Sequence, residues 1–363
     1  MIIKAAVSHA FGQSLQIEDV ELCPPRFGEI QVKLSAVAIC HSDIVFAEGH
    51  WGGDLPAIYG HEAAGHISAI GEGVSGYEKG QPVIVTLIRS CGACAPCCSG
   101  KPVSCATPSP HSSPIATLEG KPVVKAMNCG AFAEQVVVDQ SQIAAIPEDM
   151  AMDVASLLSC GVITGIGAAV NAANIRPGQT VVVVGAGGVG LNAIQGARLC
   201  GAARIVAVDL LEEKLADALE FGATDAVSAN NGDPWEHVRS VTNGNMADCV
   251  LVSVGAVSAY EEAPNYLKPG GKVVMVGMTH SGAMARYEPV NIAASGQSMI
   301  GTKMGDVVLR RDIPWLIDMY QQGRLKLDEL VSRRWRLDEI NEAIADTKAG
   351  KARRNVVVFD ETQ

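Results

Sequence analysis

Val181-Val182-Val183-Val184-Gly185-Ala186-Gly187-Gly188-Val189-Gly190 runs an unbroken β-branched tetrapeptide into a glycine-rich turn. Such a run reads as a strand buried on both faces, and the pattern from Val189 to Leu199 reads as a helix. Strand, Gly-x-Gly-x-x-Gly turn and helix in that order give the motif a physical meaning. Gly185 and Gly187 permit a tight turn and close backbone approach. Gly188, Val189 and Gly190 open a helix whose unpaired N–H groups suit a pyrophosphate. Asp209 ends the next expected strand, nineteen residues past Gly190, where its carboxylate can accept hydrogen bonds from an adenosine ribose. A 2′-phosphate would be repelled there, which favours NAD over NADP. Lys214, five residues on, is a further candidate at the ribose.

Outward from this turn the same rhythm continues. Strands are expected at Val181–Val184, Arg204–Val208, Ala226–Ser228, Cys249–Val254, Lys272–Val276 and Ser298–Thr302. Helices are expected at Val189–Leu199, Glu212–Phe221, Pro234–Thr242 and Ala259–Leu267. That is a doubly wound α/β domain with a six-stranded parallel sheet. From Met1 to Ala145 short alternating segments such as Ile30-Gln31-Val32-Lys33-Leu34, punctuated by Gly and Pro, predict a mostly β domain. A helix at Ile313–Gln322 and a strand at Arg353–Phe359 are too little for a third core and return to the first domain. The expected domains are therefore 1–161 with 303–363, and 162–302.

The 363 residues carry a formal charge of -11, which repels phosphate backbones and argues against a nucleic-acid partner. The N-terminus lacks the pattern of a signal peptide, and the most apolar stretch, Val181 to Ala197, is too rich in glycine for a membrane span. With eleven cysteines, an odd number, clustered thiols suit metal ligation in a reducing compartment better than disulfides, and the cytoplasm is the expected location.

Cys91, Cys94, Cys97 and Cys105 have the spacing C-x2-C-x2-C-x7-C in a loop with Gly92, Pro96 and Gly100, which lets four thiolates converge on a closed, structural zinc site. An iron–sulfur cluster is the chief rival. In the bacterial ferredoxin run, however, the fourth cysteine follows after three residues and precedes proline, whereas here the gap is seven and Ala106 follows. Cys98 adjoins the set as a competing ligand. Cys23, Cys129, Cys200 and Cys249 read as buried inert thiols. The Pro/Ser-rich stretch Ala106 to Pro114 reads as an exposed loop.

Gly60-His61-Glu62-Ala63-Ala64-Gly65, continuing to Gly71 and Val74, resembles the signature of zinc-containing alcohol dehydrogenases of the medium-chain dehydrogenase/reductase family. Cys40-His41-Ser42-Asp43 lies upstream at the family's interval, and Leu158-Ser159-Cys160-Gly161-Val162-Ile163-Thr164-Gly165 follows in family order. The resemblance spans essentially the whole chain. It implies a GroES-like catalytic domain beside a Rossmann coenzyme domain, a homodimer or homotetramer, and interconversion of an alcohol with an aldehyde or ketone.

The resemblance further implies a second, catalytic zinc held by Cys40, His61 and Cys160 with one position left for substrate. Glu62 and Asp43 are similar to carboxylates beside that metal. Ser42 stands where the family places the hydroxyl that takes the alcohol proton. Thr164 resembles the residue beside the nicotinamide, and Arg354 the cation that reaches the pyrophosphate, with Arg353 competing for that register. By analogy Trp51, Leu87 and Ile88 line an apolar, aromatic-accepting pocket, with ordinary core packing the competing use of the two aliphatic residues. His41 replaces an arginine of the animal-liver type, which predicts weaker cofactor retention because imidazole is partly neutral at pH 7. Val45 replaces the histidine that ends the proton relay there. Competing functions are a dehydrogenase that keeps its NAD tightly bound, a silent NAD-binding scaffold, and a zinc-free quinone reductase; the cysteine sets and Ser42 argue against the last two.

Overall fold

Thr180–Val184 pairs in parallel on both sides, with Arg204–Asp209 and with Ala247–Val252, and so lies inside a six-stranded sheet. The computed structural model describes residues 1–359. The sheet order is Asp225–Ser228, Arg204–Asp209, Thr180–Val184, Ala247–Val252, Leu267–Met275, Ser298–Gly301. In chain order that is 3-2-1-4-5-6, the doubly wound arrangement. The chain reverses direction across the sheet beside Thr180–Val184, at the strand end where Gly185 begins its turn. Val181, Val182 and Val183 are fully buried because helices cover both faces, which is why this strand shows no alternation.

Gly161–Val307 and Gln322–Lys326 make up this compact unit; Met1–Cys160, Val308–Gln321 and the chain from Leu327 make up the other. Against the expected boundaries, Gly161, 303–307 and 322–326 thus fall on the nucleotide side. Gln195 explains the second segment, since its amide bonds the N–H and C=O of Lys326 at 2.8 and 3.0 Å. Residues 360–363 of the expected first domain lie outside the described residues.

One expected helix is divided. Val257–Glu262 is α-helical, but Ala263–Tyr266 is a 3₁₀ turn, and Leu267 already belongs to the next strand. Pro264, lacking an N–H, ends the α ladder there. The helix expected from Ile313 begins earlier, at Leu309, with Asp312 accepting the Val308 N–H at 2.8 Å across its first turn.

In the other unit, Ile2–Ser8, Gln16–Leu22, Ile115–Thr117, Pro122–Lys125 and Ala57–Ile58 close a barrel. A second sheet runs Ile143–Ala145, Pro82–Thr86, Glu62–Ile70, Glu29–Ala38, Arg354–Val358, Val331–Trp335, with Gln135–Asp139 also paired to Glu29–Ala38. Ile30, Val32, Leu34, Ile67, Val83 and Phe132 fill the core between them. Gln31 breaks the alternation: it is buried, and its amide donates to Gln135 at 2.8 Å. Among the described residues no single helix is long and apolar enough to cross a membrane.

Candidate metal and dinucleotide sites

Three pieces of backbone bring one donor set together. Glu29–Ala38 and Glu62–Ile70 pair antiparallel with Ala38 opposite Glu62, so Cys40, just beyond one strand, meets His61, just before the other. Ser159 donates from its hydroxyl to the carbonyl of Ala63 at 3.0 Å, which draws Cys160 to the same place. The ligand atoms of Cys40, His61, Glu62 and Cys160, all buried, lie within 4.8 Å of one another.

Asp43 orders this set. One carboxylate oxygen accepts the Cys40 N–H at 3.0 Å; the other accepts the Gly60 N–H and meets His61 Nδ1, both at 2.9 Å. The imidazole is thereby turned so that Nε2 faces the two sulfurs. Nε2 is fully buried and has no hydrogen-bond partner. An orphaned buried nitrogen costs about 1–3 kcal/mol, and a metal ion among these donors removes that cost.

The electrostatics prepare a ligand set. A hydrogen bond from Cys160 holds the Cys40 thiol well below its ordinary value, against the opposing effect of burial, and His61 and Arg354 add to it. The same bond, with burial, raises Cys160. Burial disfavours charge on His61, but Asp43 and Cys40 together outweigh it and hold the imidazole well above its usual range. Burial pushes Glu62 up to about 7, opposed by the Arg354 guanidinium. Arg354 Nη2 lies 2.5 Å from Glu62 Oε2, an ion pair buried on both sides. The sequence reading offered Arg354 to a pyrophosphate; its guanidinium is engaged by Glu62, on a strand paired with Glu29–Ala38. Its neighbour Arg353 bonds the Glu329 carbonyl at 3.0 Å.

Ser42 is half-buried on the helix His41–Ala47, between Cys40 and Asp43, while His41 is exposed and Val45 buried. Trp51 stands edge-on to Phe46, ring centres 5.0 Å apart. Leu87 is partly buried against the barrel core, and Ile88 is buried.

Cys91, Cys94, Cys97 and Cys105 form the second set, again within 4.8 Å of one another. The short helix Ala95–Cys98 turns Cys98 away, its thiol directed at the Ala93 carbonyl 3.4 Å off, which removes it from the competition for ligand places. Cys91 Sγ receives the Cys94 N–H at 3.3 Å and lies 3.1 Å from Thr107 Oγ1. That hydroxyl, followed by the Ala93 and Cys94 amides, lowers the Cys91 thiol to about 5, while desolvation pushes Cys97 up to about 12. Four thiols converging within this distance fit a closed zinc site. Cys129 and Cys249 are buried thiols raised to about 12 by burial, as expected; Cys23 is exposed and Cys200 half-buried, contrary to expectation.

In the other unit the glycines divide their work. Gly185 sits at φ +90°, and a Cβ on Gly190 would come 1.8 Å from the Gly185 carbonyl oxygen, so both serve the turn and its packing. Gly187 serves neither: its φ is -75°, and a Cβ there would meet nothing within 4 Å. Open space over the uncapped N-terminus of a 12-residue helix fits the close approach of a pyrophosphate. Asp209 accepts the Ala186 N–H at 2.7 Å and the Leu211 N–H at 3.1 Å, which fixes its carboxylate beside this turn. Lys214 is half-buried on the helix Glu212–Glu220, and Thr164, on Gly161–Gly167, lies 3.7 Å from Met304 Sδ. Gly187→Ala is expected to cost at most about 1 kcal/mol of stability yet weaken NADH binding about tenfold or more. Thermal melts beside a fluorescence titration check it; unchanged affinity would assign Gly187 to folding alone.

Comparison with known proteins finds relatives along the whole chain. An alcohol dehydrogenase GroES-like domain matches residues 26–148, and a zinc-binding dehydrogenase domain matches residues 188–322. The chain is 36% identical to an NDMA-dependent alcohol dehydrogenase of Amycolatopsis methanolica, over 99% of each chain. It is 33% identical to an alcohol dehydrogenase of Malus domestica, over 99% of this chain and 97% of that one. The solved benzyl alcohol dehydrogenase of Acinetobacter calcoaceticus superposes with a TM-score of 0.93 at 29% identity, covering 99% of this chain and all of that one. Fold and donor sets define a zinc-binding oxidoreductase that uses a nicotinamide cofactor. The chain belongs to the zinc-containing alcohol dehydrogenases of the medium-chain dehydrogenase/reductase family.

Proposed function

We propose that this enzyme interconverts an apolar, aromatic-type alcohol and its carbonyl product with NAD as hydride carrier and two zinc ions per subunit. The observation that carries the reading is the buried Cys40, His61 and Cys160 set, with His61 Nδ1 held by Asp43 and Nε2 left without a partner. These three residues would hold the catalytic zinc, and Cys91, Cys94, Cys97 and Cys105 the structural one. When bound, zinc and nicotinamide supply Lewis acidity at the substrate oxygen and hydride transfer respectively.

The chain's own residues do the rest. Asp43 fixes the tautomer and aim of His61, and the Glu62–Arg354 pair sets the charge around the donor set. Ser42 takes the proton of the substrate hydroxyl; with Val45 where a relay histidine would stand, the proton passes to the cofactor ribose or to water. Trp51, braced by Phe46, offers an aromatic wall, and the likeness to a benzyl alcohol dehydrogenase supports that substrate class. The turn at Gly185–Gly190 receives the pyrophosphate. Asp209 takes the adenosine ribose and disfavours a 2′-phosphate, with Lys214 near the same sugar and Thr164 beside the nicotinamide. A homodimer or homotetramer in the cytoplasm, with no nucleic-acid partner, completes the reading.

A screen of NADH absorbance against primary, secondary, aromatic and polyol alcohols, with NAD and NADP in parallel, tests it. The expected result is turnover of benzylic alcohols with NAD at least tenfold above that with NADP. Turnover confined to polyols, or to NADP, would overturn the substrate or the cofactor assignment.

A further inference from the structure

The four-cysteine lobe is not held by its own backbone alone. Arg89, two residues before Cys91, is nearly buried, and its guanidinium reaches in two directions. Nη1 donates to the Thr107 carbonyl at 2.8 Å, and Nε lies 3.4 Å from the Asp139 carboxylate. Asp139 ends the strand Gln135–Asp139, and its other oxygen accepts the Ser141 hydroxyl at 2.7 Å. Ser141 Oγ in turn accepts the Ser90 N–H at 2.9 Å, directly before Cys91. Arg89 therefore ties Thr107 to the sheet, and Thr107 is the residue whose hydroxyl lies 3.1 Å from Cys91 Sγ.

We infer that Thr107 and Arg89 form an outer shell of the four-cysteine site, Thr107 donating its hydroxyl to the Cys91 sulfur and Arg89 holding Thr107 in place. The inference rests on the reading of this lobe as a zinc site. A thiolate has only acceptor capacity, so beside a metal-bound sulfur the hydroxyl is the donor. Each hydrogen bond to such a sulfur withdraws charge from it and makes it slower to react with a proton or an electrophile. Cys91 already accepts the Ala93 and Cys94 amides at 3.5 and 3.3 Å, and Thr107 adds a side-chain donor to those backbone ones. Thr107 lies in the exposed Pro/Ser-rich stretch after Cys105, whose thiol approaches the Thr107 carbonyl at 4.0 Å on one side, and on the other side it needs fixing to the sheet. Arg89 supplies that fixation.

The test labels the purified zinc-loaded protein with iodoacetamide and follows alkylation of each cysteine by peptide mass spectrometry, with zinc per subunit measured alongside. Thr107→Val is expected to speed labelling of Cys91 about tenfold, the lower end of what loss of an outer-shell partner does at a metal site, because this one is solvent-exposed. Thr107→Ser, which keeps the hydroxyl, should label as the wild type does. Arg89→Gln should speed Cys91 in the same direction, and in every variant Cys40 and Cys160 should keep their wild-type rates. A change confined to Cys91 and rescued by serine is not what general loosening of the loop would give. Wild-type labelling of Cys91 in Thr107→Val would overturn the inference with the zinc reading intact. Rapid labelling of all four cysteines in the wild type, with fewer than two zinc ions per subunit, would overturn the zinc reading and this inference with it.

Discussion

Cys40→Ser is expected to lower turnover roughly 10³-fold and to leave one zinc ion per subunit in place of two. Lewis acidity at the substrate oxygen is worth several kcal/mol, and at about 1.4 kcal/mol per factor of ten, some 4 kcal/mol gives that figure. The fold survives because serine is nearly isosteric and only one hydroxyl is newly buried, at a cost of about 1–3 kcal/mol. Strand pairing between Glu29–Ala38 and Glu62–Ile70 does not involve the Cys40 side chain. Metal analysis and circular dichroism check both halves. Two retained zinc ions with wild-type kcat would show that Cys40 is an ordinary buried thiol.

Ser42→Ala should lower kcat by roughly 10²-fold, the usual contribution of a positioned proton-transfer group, with NADH affinity little changed. Alanine favours the helix His41–Ala47, so stability should hold or rise slightly. Because only the proton-transfer step is affected, the loss should fall on kcat more than on cofactor Kd, which steady-state kinetics and a binding titration separate. An unchanged kcat would remove Ser42 from the relay.

The sequence made the nucleotide unit legible because its strands are buried on both faces and its turn is a local motif. Even there Pro264 divided a helix that periodicity drew as one, since periodicity counts apolar positions and not missing N–H groups. The four-cysteine set was legible for the same local reason, its ligands lying within one loop. Cys40, His61 and Cys160 were different. No spacing connects them; they meet through the Ala38–Glu62 register and the Ser159–Ala63 hydrogen bond, and only resemblance to a family anticipated the set. The pairing of Arg354 with Glu62 is equally tertiary, a contact between strands nearly three hundred residues apart in the chain. Thr107 was missed altogether, because a threonine in a Pro/Ser-rich loop carries no sign of the sulfur it faces. The domain limits shifted for a comparable reason, the Gln195–Lys326 contact being invisible to composition.

Anomalous diffraction at the zinc edge from crystals of the purified enzyme would show whether Cys40, His61 and Cys160 share a zinc ion. Two peaks per subunit are expected, one of them about 2.3 Å from the sulfurs of Cys40 and Cys160 and about 2.0–2.1 Å from His61 Nε2. Density at the four-cysteine lobe alone, with none among Cys40, His61 and Cys160, would contradict it.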